Sequence, residues 1–260
     1  MTLALTEVSP LGIAMAADSA LTFNGKRSFS GAQKLIPASE IDAGLSIWGD
    51  FKVGDQYADE WLQGFVSTHI RSGLRLWDVA QSLAQELNQS SGVRGWMGIH
   101  VAGYDTKDGI RAPAFYHVLN GHHHVECQDG NVLWVPDEDP PIREFRAECD
   151  RSPEAMINSP MPYITRNGDI ADYVFLSEAL PGIFRNIESQ TSLQFPYPAT
   201  LYTRGEYLRF CIQMVADVYR LSNRRNLSLT QAPTVGETHV GGPITVLTIS
   251  ERGIQDFYTK

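Results

Sequence analysis

Short apolar runs separated by turn residues fill the first fifty positions of the chain and predict strands. Leu3–Val8 and Leu11–Ala17 are the first two runs, and Ser9-Pro10 between them is a turn signal. The second run is apolar or small at every position, which is typical of a strand covered on both faces. Gly44–Trp48 forms another short run, which ends at Gly49. These residues therefore predict several strands that feed one sheet.

Two segments then change to the spacing of an amphipathic helix. Their apolar positions are Tyr57, Trp61, Leu62 and Phe65, followed by Leu76, Val79, Ala80, Leu83, Ala84 and Leu87. We expect Asp55 to be the N-cap of the first helix and the Asn88–Gly92 cluster to end the second. Two later helices are predicted over Tyr173–Ile187 and Gly205–Leu221. The expected inner face of the last helix is Tyr207, Phe210, Cys211, Met214, Val215 and Val218.

Strand patterns return before and after the later helices. Trp96–Ala102 and Pro113–Leu119 are predicted strands, and a polar, proline-rich stretch from Gly121 to Pro162 follows them. Gly242–Ile249 and Gly253–Tyr258 are predicted to form a hairpin near the end of the chain. The resulting order of strands, two helices, strands, two helices and strands predicts an α+β fold. Helices would pack on both outer faces of two stacked sheets, whereas a repeating βαβ pattern fits poorly.

The length and charge of the chain limit its class. A chain of 260 residues can bury one substantial core, so we expect a single domain over residues 1–260. No apolar run approaches the roughly 20 residues that cross a bilayer, and no signal-peptide pattern opens the chain. We therefore expect a soluble, cytoplasmic protein with no membrane partner. The formal net charge of −9 argues against a nucleic-acid partner, because phosphate contacts need a basic surface.

The cysteines, histidines and acidic clusters give no reason to expect a metal or another cofactor. Cys127, Cys149 and Cys211 are too few and too widely spaced for a disulfide framework or a zinc site, which favours a reduced chain. Adjacent side chains in His122-His123-His124 would point to alternate faces of a strand, whereas zinc ligands converge from separate elements. Asp137-Glu138-Asp139 lacks the pattern of an EF-hand calcium loop and indicates a solvated acidic loop.

The residues that carry chemistry stand near the start of the chain at equal intervals. Thr2 follows Met1, and a residue this small at position 2 lets methionine aminopeptidase remove the methionine. Asp18 follows Thr2 by 16 residues, and Lys34 follows Asp18 by another 16. A threonine hydroxyl is a weak nucleophile, and a free α-amine on the same residue is one way to activate it. A nearby aspartate and a buried lysine would complete such a site.

This N-terminal pattern resembles the start of a proteasome β-type subunit, within the N-terminal-nucleophile hydrolases, and the bacterial members such as the HslV peptidase are the most similar in style. In that family the catalytic threonine precedes an Ala-Ala-Asp-Ser-type motif, a lysine and a small turn with glycine. The matching residues here are Ala16-Ala17-Asp18-Ser19, Lys34 and Trp48-Gly49-Asp50. The resemblance implies a four-layer αββα sandwich and threonine-type endopeptidase activity. It is strongest over residues 2–50 and absent for about 105–165, which we expect to be an insertion.

The resemblance also implies a role for each matching residue. Thr2 would be the nucleophile, with its own α-amine as the general base. The charge of Lys34 would lower the pKa of that amine, and Asp18 would pair with Lys34 and keep it charged. The backbone N–H of Gly49 would stabilise the oxyanion.

The family's substrate-pocket positions fall on apolar residues of this chain. They are Leu21, Ala32, Ile36 and Val53. These side chains favour a hydrophobic substrate residue before the scissile bond. Core packing explains the same residues.

Two supporting positions depart from the family's pattern. Its last catalytic segment runs Asp-x-x-Ser-Gly-Gly, and this chain has Glu237 at the aspartate and Val240 at the serine. A supporting serine in a turn before the third helix has no counterpart in Arg166–Asp169, where we expect that turn. Either the support is rebuilt by other residues or the site is weak.

The resemblance implies a substrate and an assembly as well. The substrate would be a peptide or an unfolded protein, and the chain would form a homo-oligomeric ring or stack that encloses its active sites. An ATP-dependent unfoldase is a possible partner. Two other functions remain open: an inactive ring or scaffold subunit of the same fold, and an N-terminal-nucleophile amidase that acts on a small-molecule amide.

Overall fold

Two five-stranded antiparallel sheets form the centre of the protein. The computed structural model describes residues 3–23, 26–90, 95–120, 124–126, 132–134, 144–158, 162–168, 180, 182–194, 198–225 and 240–260. The first sheet contains, in spatial order, β14 (Tyr163–Gly168), β1 (Leu3–Ser9), β2 (Gly12–Ala17), β15 (Thr245–Ser250) and β16 (Gly253–Thr259). The second contains β13 (Arg146–Arg151), β10 (Ile110–Leu119), β9 (Met97–Lys107), β6 (Ala43–Gly49) and β5 (Leu35–Ala38).

Short strand pairs and helices complete the described part of the chain. The pairs are β3 (Ala20–Phe23) with β4 (Lys26–Ser30), β7 (Lys52–Val53) with β8 (Gln56–Tyr57), and β11 (His124–Glu126) with β12 (Val132–Trp134). The helices are α1 (Ala58–His69), α2 (Leu76–Gln89), α3 (Pro153–Asn158), α4 (182–190) and α5 (Leu201–Arg225). In this part of the chain no helix is long and apolar enough to cross a membrane.

The alternation of side chains along each strand divides the core into layers. On β2, Met15 packs with Leu35 and Phe115 of the second sheet, while Ala14 and its alternate neighbours face a cluster that includes residues of α5. The outer face of the second sheet packs against α1 and α2. Each sheet therefore has one face toward the other sheet and one face toward helices, because alternate residues of a strand point to opposite sides.

The structure confirms the predicted mixture of helices with two large antiparallel sheets. The strands predicted from Leu3 to Ala17 are β1 and β2, and the predicted helix stripe from Leu76 to Leu87 is α2. Of the predicted helix Tyr173–Ile187, residues 182–187 are helical and 173–179 lie outside the described residues. The interval 105–165 supplies β10 and β13 to the second sheet and starts β14 of the first.

Three predictions are wrong. The strands of the first fifty residues do not feed one sheet, because β1 and β2 belong to the first sheet and β5 and β6 to the second. Asp55 does not cap α1: the helix begins at Ala58, and Tyr57 occupies the N-cap position without a side-chain hydrogen bond. On α5, Phe210 and Val218 are 39% and 43% exposed rather than on the inner face. The buried hydrophobic residues described on that helix are Leu208, Cys211, Ile212, Val215 and Ala216. Helical spacing alone could not place the boundary of this face, because apolar residues extend around more than one side of the helix.

Candidate active site

Asp18 lies directly after β2, beside the start of β1. Its backbone N–H donates to the carbonyl oxygen of Leu3 at 3.3 Å, so the antiparallel pairing of the two strands continues to this point. The residue is only 1% exposed. The run of small and apolar residues before it places a carboxylate in the interior, at the end of the first sheet where the chain enters β1.

The Asp18 carboxylate accepts four described hydrogen bonds. Oδ1 accepts from the backbone N–H of Leu3 at 3.0 Å and from Lys34 Nζ at 2.9 Å. Oδ2 accepts from the backbone N–H groups of Ala20 at 3.2 Å and Gly241 at 3.1 Å. A carboxylate offers about four lone-pair positions, so these donors use the full capacity of the group. Buried charge is costly unless it is compensated in this way.

Lys34 lies immediately before β5 and is fully buried. Its side chain and that of Asp18 both have 0% exposure. Lys34 Nζ also donates to the carbonyl oxygen of Ala20, and the Lys34 carbonyl accepts the N–H of Ile47 at 2.8 Å. A buried ion pair is seldom more stabilising than apolar side chains of the same volume. The burial of this pair is therefore weak evidence that it stabilises the fold.

Gly49 is the last residue of β6, and its N–H points to the side of that strand where Lys34 lies. The N–H of Ile47 points to Lys34, whereas the N–H of Asp50 points the other way, to the Trp96 carbonyl at 2.6 Å. Successive N–H groups of a strand alternate in direction, so the Gly49 N–H points to the Lys34 side. The Gly49 φ is +83°, and a Cβ there would overlap the Trp96 carbonyl oxygen. Only glycine fits this backbone.

The structure brings two of the four predicted catalytic residues into direct contact. Asp18 and Lys34 are in contact, and Gly49 lies two residues along β6 from Ile47, which pairs with Lys34. Thr2 lies outside the described residues. It is joined by its peptide bond to Leu3, whose N–H is bound by Asp18.

The predicted pocket residues are all buried. Leu21 is 5% exposed, and Ala32, Ile36 and Val53 are each 3% exposed. They share one hydrophobic cluster with residues of α1 and α2. Burial of this kind fits core packing as well as the wall of a pocket, so their role in substrate binding stays a prediction.

Gly241, the first glycine of the Gly241-Gly242 pair, supports Asp18 through its backbone. Besides donating to Asp18, Gly241 accepts the N–H of Ser19 at 3.2 Å through its carbonyl oxygen. Val240, at the family's serine position, is fully buried in the cluster shared with α5. Glu237 lies outside the described residues. The resemblance predicted support from the side chains at positions 237 and 240. The contact that the structure describes is instead made by the main chain of Gly241.

The predicted turn at Arg166–Asp169 is wrong over its described part. Arg166, Asn167 and Gly168 belong to β14 and pair with β1, and Asp169 lies outside the described residues. Asn167 Oδ1 lies 2.7 Å from His100 Nε2, and His100 Nδ1 lies 2.8 Å from Thr6 Oγ1. Burial lowers the pKa of His100 to about 4, against a smaller opposing effect of the Asn167 hydrogen bond. A neutral histidine therefore links the two sheets.

A second buried histidine contacts Trp48, the residue before Gly49. Trp48 Nε1 donates to His117 Nε2 at 2.9 Å, and His117 Nδ1 lies 3.7 Å from Asp150 Oδ2. Burial, and then the negative charge of Glu148, raise the pKa of Asp150 to about 7. No motif in the sequence indicated this group. The only signal was histidine inside two otherwise apolar strand patterns, at His117 and at His100.

Comparison of the chain with protein-family models gave no match, and no curated protein matched it. Among the residues that the structure describes, no group of three or more histidine, cysteine, aspartate or glutamate side chains is placed to hold a metal ion. The predicted loop Asp137–Asp139, Cys127, His122 and His123 lie outside those residues.

Proposed function

We propose that this protein is an N-terminal-nucleophile hydrolase of the proteasome β type, with Thr2 as the nucleophile after removal of Met1. The observation that carries the proposal is the fully buried pair of Asp18 and Lys34 at the start of β1. One oxygen of that pair also binds the N–H of Leu3, the residue after Thr2. The two facing sheets with helices on their other sides fit the four-layer αββα sandwich of that class.

The proposed reaction is hydrolysis of an amide through an ester intermediate. The Thr2 hydroxyl oxygen bonds to the carbonyl carbon, and the α-amine of Thr2 takes the hydroxyl proton. The carbon–nitrogen bond then breaks, and that proton passes to the leaving amine. Water next attacks the ester: its oxygen bonds to the carbonyl carbon, the bond from that carbon to the Thr2 oxygen breaks, and a proton from the water passes through the α-amine to the Thr2 oxygen as the acid is released.

Lys34 and Asp18 would tune the base of this reaction. An α-amine has an ordinary pKa of about 8 and must be neutral to accept a proton. A fixed positive charge nearby disfavours protonation of the amine and lowers its pKa toward neutrality. Asp18 keeps that charge on Lys34, because a buried lysine without a counter-ion tends to lose its proton.

Gly49 would supply the donor for the oxyanion. Its N–H is aimed to the Lys34 side of β6, and the residue is exposed, so a substrate carbonyl can approach it. A preorganised backbone donor of this kind is worth on the order of 10²–10³ in rate. The close approach requires the absence of a side chain.

Peptides and unfolded proteins are the proposed substrates, in an assembly that encloses the active sites. Buried apolar residues at Leu21, Ala32, Ile36 and Val53 are consistent with a hydrophobic pocket if the core opens toward the site. Sedimentation of the purified chain tests the assembly: a closed homo-oligomer supports a peptidase, whereas a monomer or dimer favours a small-molecule amidase.

Intact mass spectrometry before and after incubation with a peptide epoxyketone tests the mechanism. That probe needs a free N-terminal amine and the threonine hydroxyl together. We expect loss of Met1 and one stoichiometric adduct, which is absent in Thr2→Ala and slower to form in Thr2→Ser.

The other outcomes separate the rival functions. Removal of Met1 without any adduct, repeated with probes of different side chains, would favour an inactive subunit of the same fold. Retention of Met1 would exclude the threonine mechanism for the protein as isolated, because a blocked amine cannot serve as the base.

A further inference from the structure

The hydrogen bond between Trp48 and His117 fixes the protonation state of the buried His117 ring, and Trp48 directly precedes Gly49 in the sequence. An indole nitrogen can only donate, so His117 Nε2 must accept and carries no proton. A neutral His117 ring then has its proton on Nδ1, the nitrogen that faces Asp150. His117 is 4% exposed, and His100 packs against it edge-on with 5.0 Å between the ring centroids. The orientation of the His117 ring is therefore determined on three sides.

The Trp48 ring is held equally closely. It lies against the backbone of Gly98 on β9, where an added Cβ would overlap the ring. It also packs with Leu119 of β10 and with Ala4 of β1 in one small cluster. Ala4 is two residues after Thr2 in the sequence. One side chain thus joins the strand that follows the proposed nucleophile to the strand that ends at Gly49.

Trp48 shares a peptide bond with Gly49, and the planarity of that bond makes their positions dependent on each other. The Gly49 N–H lies in the same plane as the Trp48 carbonyl and the Trp48 Cα. Gly49 itself has wide backbone freedom, so the direction of its N–H depends on what holds Trp48. The ladder with β9 holds the Trp48 backbone, and the bond to His117 holds its ring.

We infer that His117 is a positioning residue for the proposed reaction. By accepting the Trp48 indole N–H, it holds the Trp48–Gly49 peptide so that the Gly49 N–H stays aimed at the developing oxyanion. His117 does not touch the substrate and acts through Trp48. The catalytic meaning of this role rests on the proposed function, whereas the coupling of His117 to the Gly49 amide can be measured independently.

Selective isotope labelling isolates the Gly49 amide. Trp-Gly occurs once in the sequence, at Trp48-Gly49, so ¹³C-carbonyl tryptophan with ¹⁵N-glycine gives a single correlated amide signal. We expect this signal to move in His117→Leu, which removes the acceptor, and to return close to its wild-type position in His117→Gln, which restores one. His69→Leu is the matched control, because His69 is an exposed histidine on α1, and the signal should stay in place.

The rate of epoxyketone modification gives the second measurement. Misplacement of a catalytic group by about 1 Å can cost on the order of 10²-fold. We therefore expect a 10-fold to 100-fold lower limiting rate of modification in His117→Leu, little change in the half-saturating probe concentration, and recovery in His117→Gln. Trp48→Phe combined with His117→Leu should be no slower than the slower single variant, because both remove the same hydrogen bond.

Trp48→Phe also serves if His117→Leu does not fold. No phenylalanine precedes a glycine in the sequence, so a ¹³C-carbonyl phenylalanine label then marks the same Gly49 amide. An unmoved Gly49 signal in folded His117→Leu, or the same shift in His69→Leu, would overturn the positioning role. A wild-type protein that forms no adduct would instead overturn the proposed function, with the signal still reporting whether His117 holds Gly49.

Discussion

Lys34 Nζ lies 2.9 Å from Asp18 Oδ1, and neither side chain has any exposed surface. The two residues stand 16 positions apart and at the ends of different sheets, Asp18 after β2 and Lys34 before β5. A buried pair of this kind can be retained for fold stability or for chemistry. A role in stability requires only that no unpaired charge is buried, whereas the proposed chemistry requires the positive charge of Lys34. Substitution can therefore separate the two roles.

Lys34→Met tests the ion pair because it keeps an unbranched side chain and removes the charge. We expect it to lower the free energy of unfolding by about 3–5 kcal/mol, since Asp18 is left as an unpaired buried carboxylate. Adding Asp18→Asn should recover only part of that stability, because it removes the buried charge but turns an amide NH2 group toward at least one of the three backbone N–H donors whose hydrogen bonds the carboxylate accepts. Urea unfolding measures both steps. The double variant should still form no epoxyketone adduct, since the proposed mechanism uses the charge of Lys34 to lower the pKa of the Thr2 amine.

Lys52→Met is the control for this series, because Lys52 is an exposed lysine on β7. It should change neither stability nor adduct formation. An active double variant would show that the charge of Lys34 is not used in the reaction, and the proposed mechanism would then be wrong in that step.

Arg204→Met provides a buried pair away from the proposed site. Arg204 on α5 donates to the fully buried Glu7 on β1, and burial raises the pKa of Glu7 despite the opposing charge of Arg204. We expect the variant to lose about 3–5 kcal/mol of stability while it still forms the adduct under conditions where it is folded. A carboxyl with a raised pKa in the folded state costs stability as the pH rises, so the loss should be larger at pH 8 than at pH 5. Urea titrations at the two pH values check whether the loss of stability is larger at pH 8. Loss of adduct formation in the folded variant would contradict the prediction that this pair has no part in the reaction.

Gly49→Ala tests the oxyanion donor, and Gly73→Ala is its matched control. Both glycines have a positive φ, +83° and +88°, but an added Cβ at Gly73 meets no atom within 4 Å. We expect Gly73→Ala to cost only the backbone strain of about 1–2 kcal/mol and to leave the rate of adduct formation unchanged. Gly49→Ala should cost more, because the Cβ also displaces Trp96, and should slow modification on the order of 10²-fold. Equal rates in the two variants would remove Gly49 from the mechanism.

His100 makes the stability of the fold depend on pH. Its pKa is about 4 in the folded protein and about 6.5 in the unfolded chain, because burial disfavours the charged ring. The unfolded state therefore binds the proton first, so stability is complete above pH 6.5 and falls as the pH is lowered toward 4. At about 1.4 kcal/mol for each pKa unit, the loss is roughly 3 kcal/mol. His100→Gln should show a smaller loss over this range, measured by urea unfolding at several pH values.

Exposed His69 supplies the comparison for that titration. His69→Gln should follow the wild-type dependence on pH. If His100→Gln also follows it, the acid sensitivity of the fold arises from other groups.

The sequence alone was sufficient for the elements whose periodicity is unbroken. β1, β2 and α2 lie where their apolar patterns predicted them, because each has one continuous buried stripe or run. The contact of Asp18 with Lys34 was also predicted, although only through the resemblance, since no local pattern reports a contact across 16 residues. Spacing and residue type carried that information.

The remainder depended on the packing of separate elements. The resemblance led us to expect a turn at Arg166–Asp169, whereas Arg166, Asn167 and Gly168 pair with β1 as the end of β14. The bonds from Trp48 to His117 and from His100 to Asn167 join strands distant in sequence. Local propensity cannot predict contacts between such distant residues. The only sequence signal for the two histidines was their position inside apolar strand patterns.

The hydrogen bond from Gly241 to Asp18 has a consequence for biosynthesis. The two residues are separated by 223 positions, whereas Leu3, Ala20 and Lys34 all leave the ribosome early. A nascent chain can therefore carry the threonine, the lysine and the aspartate long before the last donor to the carboxylate exists. The full set of four donors to the carboxylate therefore forms only after the segment that contains Gly241 has been made and folded. A hydrolase built in this way would have little opportunity to cut its own unfinished copies.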